Sequence, residues 1–514
     1  MLARGPSHGV AARRRSVLTP AALLLLFLLA PARCLGQADG DDVVIGTYRQ
    51  VPSRILGEDR RIIVGLPQGY EDSDLSYPVV VKLHGSPLSF FAPIQAGLEL
   101  LAESGRIPQV ILVGVEQHGH WEVRPRAIGG PPLDVRGEEF LEFVTDELLP
   151  FVDENYRTKD LRILMGTYDC ALFAVHALIE APESFDAYLA NNLHDYGFRD
   201  EPVLDGAPVK LAEGFESPEF LYVTQWHNED GTADPSVGRF LAELEAAPPA
   251  NLTWGSLTLE YPAHNTWVPY KDVERGMLAL FDGYRCPQEA LDDGLKGVRS
   301  HYETWSARFG VGFGIPERAF NNLSDRLVER HEWEEAIDVL LLFRETYPKS
   351  LNAAFRLARA YRGAGDIDNA IESYRAALEF DRCPPFFEEE LRRLESSPAF
   401  TVERAMLESG LEAGLAEFRT LRSGELGEDA FREGEFNDVG YRFLGKGMAE
   451  EAIAVFRMNV ELFPASANAY DSLGEAYTAD GDTALAIASY SRSLEIEPDN
   501  ASARETLRRL GESE

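Results

Sequence analysis

The sequence predicts two unlike halves: a doubly wound α/β domain with a mostly parallel sheet, then an all-α solenoid of helical repeats. Three observations carry this. From Val43 to about Tyr284, short apolar runs alternate with amphipathic helical stretches. Beyond residue 316 a period of 34 sets in, with Ala336 and Ala370, then Ala452 and Ala486, each 34 apart. At 514 residues the chain has room for two to four separate cores.

The chain opens on a segment that reads as an export signal. Arg13, Arg14 and Arg15 form a basic start, Ala21 to Ala30 an apolar core, and Gly36-Gln37-Ala38 a small-x-small cleavage site before Asp39. Residues 1–38 are therefore expected to be removed. The apolar core falls short of the roughly 20 residues that span a bilayer. Cys34 follows Arg33 and belongs with the discarded peptide, and the adjacent arginines admit a twin-arginine route beside general secretion. No later stretch is apolar and long enough for a membrane helix, so the mature chain is expected in a periplasmic or extracellular space. The full chain's formal charge of −36 disfavours nucleic acid and anionic membranes as partners. Cys170, Cys286 and Cys383 remain after cleavage, which allows one disulfide at most. No Cys/His spacing suits zinc, and the reading implies neither metal nor cofactor.

In the first half, TYRQVPSRILGEDRRIIVGLP (47–67) reads as paired edge strands turning at Gly57, Glu58 and Asp59. VVVKL (79–83), VILVGV (110–115), RILM (162–165), FLYVT (220–224) and SLTLEY (256–261) have strand length. Several lack polar alternation, which suits interior strands covered on both faces. Between the second and third, Phe140, Leu141, Val144 and Leu148 fall on one helical stripe, and Pro150 lies near the end of that helix.

GTYDCA, Gly166 to Ala171, follows one such strand and precedes a helix carrying Leu172, Phe173, Val175, Leu178 and Ile179. Strand, tight turn, helix is the setting of a nucleophile elbow, G-x-S-x-G, whose strained turn lifts a serine hydroxyl above a sheet. Gly166 frames the turn. The serine slot holds Tyr168, and Cys170 stands in the second glycine slot. A tyrosine oxygen lies a whole ring beyond a serine hydroxyl, past the point where a base and oxyanion donors converge, and those donors must lie within ~3 Å of the developing charge. Removing the nucleophile alone costs on the order of 10⁶ in kcat in a serine protease. Asp169 adds negative charge where an oxyanion forms. Cys170 is a rival nucleophile, since a thiol in the first turn of a helix can titrate low; a small buried cysteine replacing a packed glycine is the simpler reading.

SRILGEDRRIIVGLPQGY, SYPVVVKLHG, GRIPQVILVGV, FLEFVTDELLPFVDENYRT, RILMG and LEYPAHNTWVP occur in the order of the putative esterase family of α/β hydrolases. The chain resembles this group, which includes enterochelin-type siderophore esterases and S-formylglutathione hydrolase-like enzymes, over roughly residues 44–284. The resemblance implies an α/β-hydrolase fold and assigns roles by position. His264 in YPAHNTWVP takes the base slot. The acid falls among Asn228, Glu229 and Asp230, with Glu229 favoured. Backbone N–H groups of Asp169 and of the loop at His84, Gly85 and Ser86 would form the oxyanion hole. Trp121, Arg124 and Arg126 would line the mouth of the cleft. His118 and His120 admit a metal pair on paper, but without further ligands they read as loop polarity. Asn251-Leu252-Thr253 and Asn322-Leu323-Ser324 are glycosylation sequons that matter only on a eukaryotic route.

Residues 285–316 read as a connecting helix followed by a glycine-rich hinge. The repeats then occupy 317–350, 351–384, 433–466 and 467–500. Leu473, Gly474, Tyr477, Ala486, Tyr490 and Pro498 in the last, and Val439, Gly440, Phe443, Ala452, Phe456 and Pro464 before it, resemble the tetratricopeptide pattern. Residues 385–432 form a helical linker in which LEAGLAEFRTLR supplies the second helix of a degenerate fifth repeat, and 501–514 form a terminal helix or tail. Such arrays bind peptides on a concave face, or pack against a neighbouring domain. The expectation is an esterase-like protein with an impaired nucleophile that scaffolds a protein partner through its repeats. The rival expectation is an ester hydrolase working through a displaced nucleophile such as Cys170. A third keeps an ester-like ligand in the cleft without turnover.

Overall fold

The computed structural model describes residues 44–84, 88–123, 136–194, 203–227, 232–259, 268–380, 383–424 and 426–511. Eight strands form one sheet: β1 (Thr47–Val51), β2 (Arg60–Gly65), β3 (Tyr77–Leu83), β4 (Ile111–Val115), β5 (Thr158–Thr167), β6 (Ala187–Asn191), β7 (Glu219–Trp226) and β8 (Leu252–Leu259). Their order is β1-β2-β4-β3-β5-β6-β7-β8. Only β2 runs against its neighbours; from β4 to β8 every pairing is parallel. Every residue of β3, β4 and β6 is buried, because helices cover both faces. The edge strand β8 instead alternates half-buried and exposed positions along most of its length.

One face packs Val79, Val81, Leu164 and Leu221 against Phe140, Phe143, Phe173 and Phe240. The helices on that side are α1 (Gly137–Phe143), α2 (Leu149–Asn155), α3 (Asp169–Glu180) and α4 (Pro235–Ala246). A π-helical turn, Val144–Leu148, links the first two. Pro150 has no N–H to donate, and Leu149 donates instead to the carbonyl of Val144 five residues back, so the helix continues through the proline to Asn155. On the opposite face, Val80, Ile163, Met165 and Leu189 pack against Phe91, Ile94, Val273 and Met277 from the helices Leu88–Glu103 and Val268–Leu280.

That second core does not stop at the sheet domain. It runs on through Tyr284, Tyr302, Trp305 and Phe313 into Phe320, Leu323, Leu340, Phe343 and Leu357 of the repeats. Tyr284 stacks edge-on against Trp305 at 5.4 Å and against Phe313 at 5.7 Å. The segment expected as a hinge is therefore packed. Gly310, at φ 68°, ends the helix Gly294–Phe309, and Phe313 is buried just beyond it. Lys159 donates to the carbonyl of Gly312, Tyr347 to that of Ile315 at 3.1 Å, and Lys349 to that of Glu71 at 3.2 Å. Glu71 precedes β3 and Lys159 begins β5, so the array is fixed to the amino ends of the strands.

The helical half is built of hairpins. Glu317–Glu329 pairs with Trp333–Thr346, Leu351–Ala364 with Ile367–Leu378, Glu433–Gly445 with Ala449–Leu462, and Ala467–Asp480 with Thr483–Ile496. Small residues permit the close approach. A Cβ at Gly440 would meet the Phe456 ring at 2.5 Å, and one at Gly474 the Tyr490 ring at 3.0 Å. Between the two pairs, Pro385–Ser396 stands as a single helix, and Leu411–Ser423 pairs with Pro398–Ser409 as a further hairpin.

Candidate functional site

The turn after β5 has the geometry its sequence context calls for. A Cβ at Gly166 would lie 1.8 Å from the carbonyl oxygen of Cys170, so only glycine lets the strand fold back so closely on α3. Tyr168 sits at φ 59°, ψ −121°, a conformation that costs a non-glycine residue roughly 1–3 kcal/mol. It is held there by backbone bonds: Tyr168 donates to the carbonyl of Asn191 at 3.2 Å, and Ala171 donates to that of Tyr168 at 2.8 Å. The strain is shared. His84 at φ 57° and Asn192 at φ 48° directly follow β3 and β6, the strands on either side of β5.

The Tyr168 ring is 38% exposed and lies nearly parallel to the His194 ring, tilted 15° with centroids 6.4 Å apart. His194 is buried, which pulls its pKa below the ordinary histidine value against the opposing pull of Asp234. Its Nδ1 stands 3.9 Å from Asp234 Oδ2, and Asp234 also caps α4 by accepting from the Ser236 N–H at 2.8 Å. Neither residue is singled out by sequence reasoning. Asp234-Pro235 carries a legible helix-start signal, but His194 follows β6, whose five residues AYLAN give little strand signal.

Asp169 is the first residue of α3, so its N–H belongs to the first turn, where no intrahelical acceptor is available. Its carboxylate is the negative charge at that end. Cys170 is 3% exposed, its Sγ lies 3.3 Å from the Gln117 amide, and burial pushes its pKa up to about 11. The thiol is therefore protonated at neutral pH and turned inward, the opposite of the exposed, low-pKa thiol a nucleophile requires. His264, Glu229, Gly85 and Ser86 lie outside the described residues, as do Asn228, Asp230, Arg124 and Arg126.

Beneath the elbow runs a buried polar row. Thr167, Asn191 and Thr224 occupy neighbouring strands, with Thr167 opposite Asn191 in the register. Lys82, inside β3, donates to the Leu83 carbonyl at 2.6 Å and to Thr167 Oγ1 at 3.2 Å. Burial lowers its pKa to about 8. From Val268–Leu280, Asp272 accepts from Trp226 Nε1 at 3.1 Å, and burial raises its pKa to about 7. Among the described residues, Asp272 Oδ1 and both side-chain amide atoms of Asn191 have no hydrogen-bond partner. A lysine within the apolar run VVVKL is the one sequence signal of this row.

Glu58, His118 and Glu122 converge closely enough to suggest a metal. A fully buried guanidinium already fills the space: Arg60 reaches Glu58 at 2.8 Å and Glu122 at 2.9 Å and 3.0 Å. Hydrogen bonds from Arg60 and the His118 N–H hold the Glu122 carboxyl below its ordinary value despite burial. The cluster is a charge clamp tying β2 to the loop that follows β4, and the His118 side chain borders it at 3.3 Å from Glu58.

Residues 53–192 match the family described as Putative esterase, and residues 321–385 and 467–500 match tetratricopeptide repeats. The chain carries an esterase-fold domain followed by tetratricopeptide repeats. No curated protein matches it. Among solved structures, an IroE-like serine hydrolase from Shewanella oneidensis is 22% identical, with a TM-score of 0.47 over 57% of this chain and 96% of that one. An uncharacterised protein from Capnocytophaga ochracea is 19% identical, TM-score 0.47, over 68% and 100%. The siderophore hydrolase EstB from Aspergillus nidulans is 16% identical, TM-score 0.41, over 49% and 100%. In this chain the residue at the apex of the strained turn between β5 and α3 is Tyr168.

Proposed function

We propose that this protein is an exported, esterase-fold binding or scaffolding protein that does not hydrolyse esters by the serine route and holds a protein or peptide partner through its tetratricopeptide repeats. The observation that carries the reading is Tyr168. The strained turn that would present a serine is intact at φ 59°, and the residue on it offers a half-exposed ring stacked on His194 rather than a short hydroxyl. The rival nucleophile, Cys170, has burial and a raised pKa against it. The test is hydrolysis of small activated esters by the purified chain. Turnover should not exceed that of a His264→Ala control. The triple change Tyr168→Ser, Asp169→Leu, Cys170→Gly should restore some turnover. Robust wild-type activity that disappears in His264→Ala would overturn the proposal.

Export rests on the N-terminal pattern and is tested separately, by N-terminal sequencing of protein recovered outside the cytoplasm. The expected start is near Asp39, and a chain beginning at Met1 would contradict it. A second reading has its own support. The Tyr168–His194 pair and the polar atoms of the row beneath it that find no partner among the described residues suit an ester-like ligand held without turnover. Calorimetric titration with non-hydrolysable ester analogues would show heat that vanishes in Tyr168→Ala.

A further inference from the structure

The sheet has two edges, and they are finished differently. β1 is five residues long and carries Arg49, whose Nη1 covers a carbonyl of its own strand by donating to Tyr48 at 3.1 Å. β8 is eight residues long and reads LTWGSLTL. It holds no proline and no charged side chain, in a chain whose residues are 26% charged. Charge, proline and short length are the means by which an open edge is kept from pairing with another chain. β8 uses none of them.

The register fixes which backbone groups of β8 face outward. Glu219 donates to the Asn251 carbonyl at 2.8 Å and His227 to that of Leu259 at 3.1 Å, with the parallel pairing unbroken between them. Along a strand the backbone N–H and C=O groups change sides with each residue, so the odd-numbered residues of β8 bond to β7. Leu252, Trp254, Ser256 and Thr258 therefore turn their N–H and C=O groups away from the sheet. The Leu252 N–H is used, donating to the Pro249 carbonyl at 3.3 Å. Those of Trp254, Ser256 and Thr258 have no backbone partner among the described residues, and the Ser256 and Thr258 side chains are exposed.

We propose that β8 pairs antiparallel with β8 of a second copy of this chain, about a two-fold axis at Ser256, joining two eight-stranded sheets into one. The three free residues set the alignment. Trp254 lies opposite Thr258 of the second copy, Ser256 opposite Ser256, and Thr258 opposite Trp254, and each pair exchanges two hydrogen bonds. Between them the half-buried Leu257 faces Gly255 of the second copy in a pair without hydrogen bonds, where side chains approach most closely. A Cβ at Gly255 would meet the Tyr222 ring at 3.2 Å, so the leucine packs beside an aromatic ring that no Cβ screens. Two copies of formal charge −36 repel wherever acidic surfaces meet, and an uncharged strand is where they can join at least electrostatic cost. The helical array is fastened at β3 and β5, and β5 stands three strands from this edge.

The test is sedimentation velocity of the full chain over a range of micromolar concentrations. A monomer–dimer equilibrium is expected that tightens as salt rises, because salt screens the repulsion between the copies. Ser256→Pro removes an outward N–H and leaves the β7 ladder intact, and it should weaken the dimer about tenfold through the two bonds lost at the axis. Ser256→Glu and Ser256→Lys each set like charges face to face and should each leave monomers. Mixed together, those two variants should recover a heterodimer, which only residues that meet across the axis can do. Arg49→Ala, at the other edge, should change nothing. Unchanged circular dichroism shows that each variant is folded, and the Glu and Lys pair carries the test alone if the proline variant is not. A chain that stays monomeric, a dimer indifferent to Ser256→Pro in a folded variant, a dimer lost in Arg49→Ala, or Glu and Lys variants that remain apart when mixed would each overturn the proposal.

Discussion

The two ends of the sheet are built by opposite rules. At the amino ends of β3 and β5 the helical array is fixed through an aromatic core of Tyr284, Trp305 and Phe313, with Lys159 and Lys349 adding hydrogen bonds to backbone carbonyls across the junction. At the carboxyl ends of β3, β5 and β6 three consecutive strands each release into a positive-φ residue, His84, Tyr168 and Asn192. Directly below lie a buried lysine, a buried aspartate and an asparagine whose side chain finds no partner among the described residues. Strain and unpaired polarity persist only where surrounding packing over-determines them, and they gather where proteins do their binding and chemistry. The fold has concentrated cohesion at one end and left the other costly.

The largest expected effect lies at the cohesive end. Trp305 is buried and joins Phe281, Tyr284 and Phe309, so Trp305→Ala should cost ~3–5 kcal/mol. Because one core spans both halves, differential scanning calorimetry should show the esterase-fold domain and first repeats unfolding in a single transition that moves down together. Two well-separated transitions, only one of them shifted, would break the comparison by showing two independent units.

A smaller effect is expected at the costly end, and it depends on pH. The folded pKa of Asp272, about 7, lies above its unfolded value near 3.9. The folded state therefore binds more protons between those values, and stability should fall as pH rises from about 4 to about 7. Asp272→Asn keeps an acceptor for Trp226 and removes the charge. It should flatten that part of the profile and raise stability at pH 7.5 by ~2 kcal/mol in urea unfolding. A variant no more stable than wild type at pH 7.5 would mean that the neighbouring Lys82 fully compensates the charge.

The smallest concerns the elbow itself. Tyr168→Gly relieves the φ 59° backbone and removes a half-exposed ring, and a net gain of about 1 kcal/mol is expected from the urea midpoint. A loss would show that the stack on His194 outweighs the strain.

The α/β and repeat architecture was legible because its signals are local: unalternating runs such as VVVKL, a glycine between strand and helix, alanines 34 residues apart. What escaped was whatever depends on register. β6 is five residues, two of them alanine, and without it neither His194 nor Asn191 can be placed beside Tyr168. Lys82, Thr167, Asn191 and Asp272 are separated by up to 190 residues and become neighbours only through strand pairing and one covering helix. The Gly310–Gly314 stretch read as a hinge because glycine and chain flexibility go together, yet Phe313 in its middle finds a buried aromatic pocket.

The attachment of the repeats to the amino ends has a further consequence. Eight residue steps of β5 separate Lys159, where the array is fastened, from the end of the strand at Thr167, roughly 25 Å at the rise of an extended chain. A tether raises the local concentration of its cargo at a second site only when its geometry lets both be engaged at once. Fastened through a continuous core instead of a flexible linker, the first repeats are held at the amino ends of the strands. Under the proposed reading, a partner held on the first repeats would gain no proximity to Tyr168 from being held.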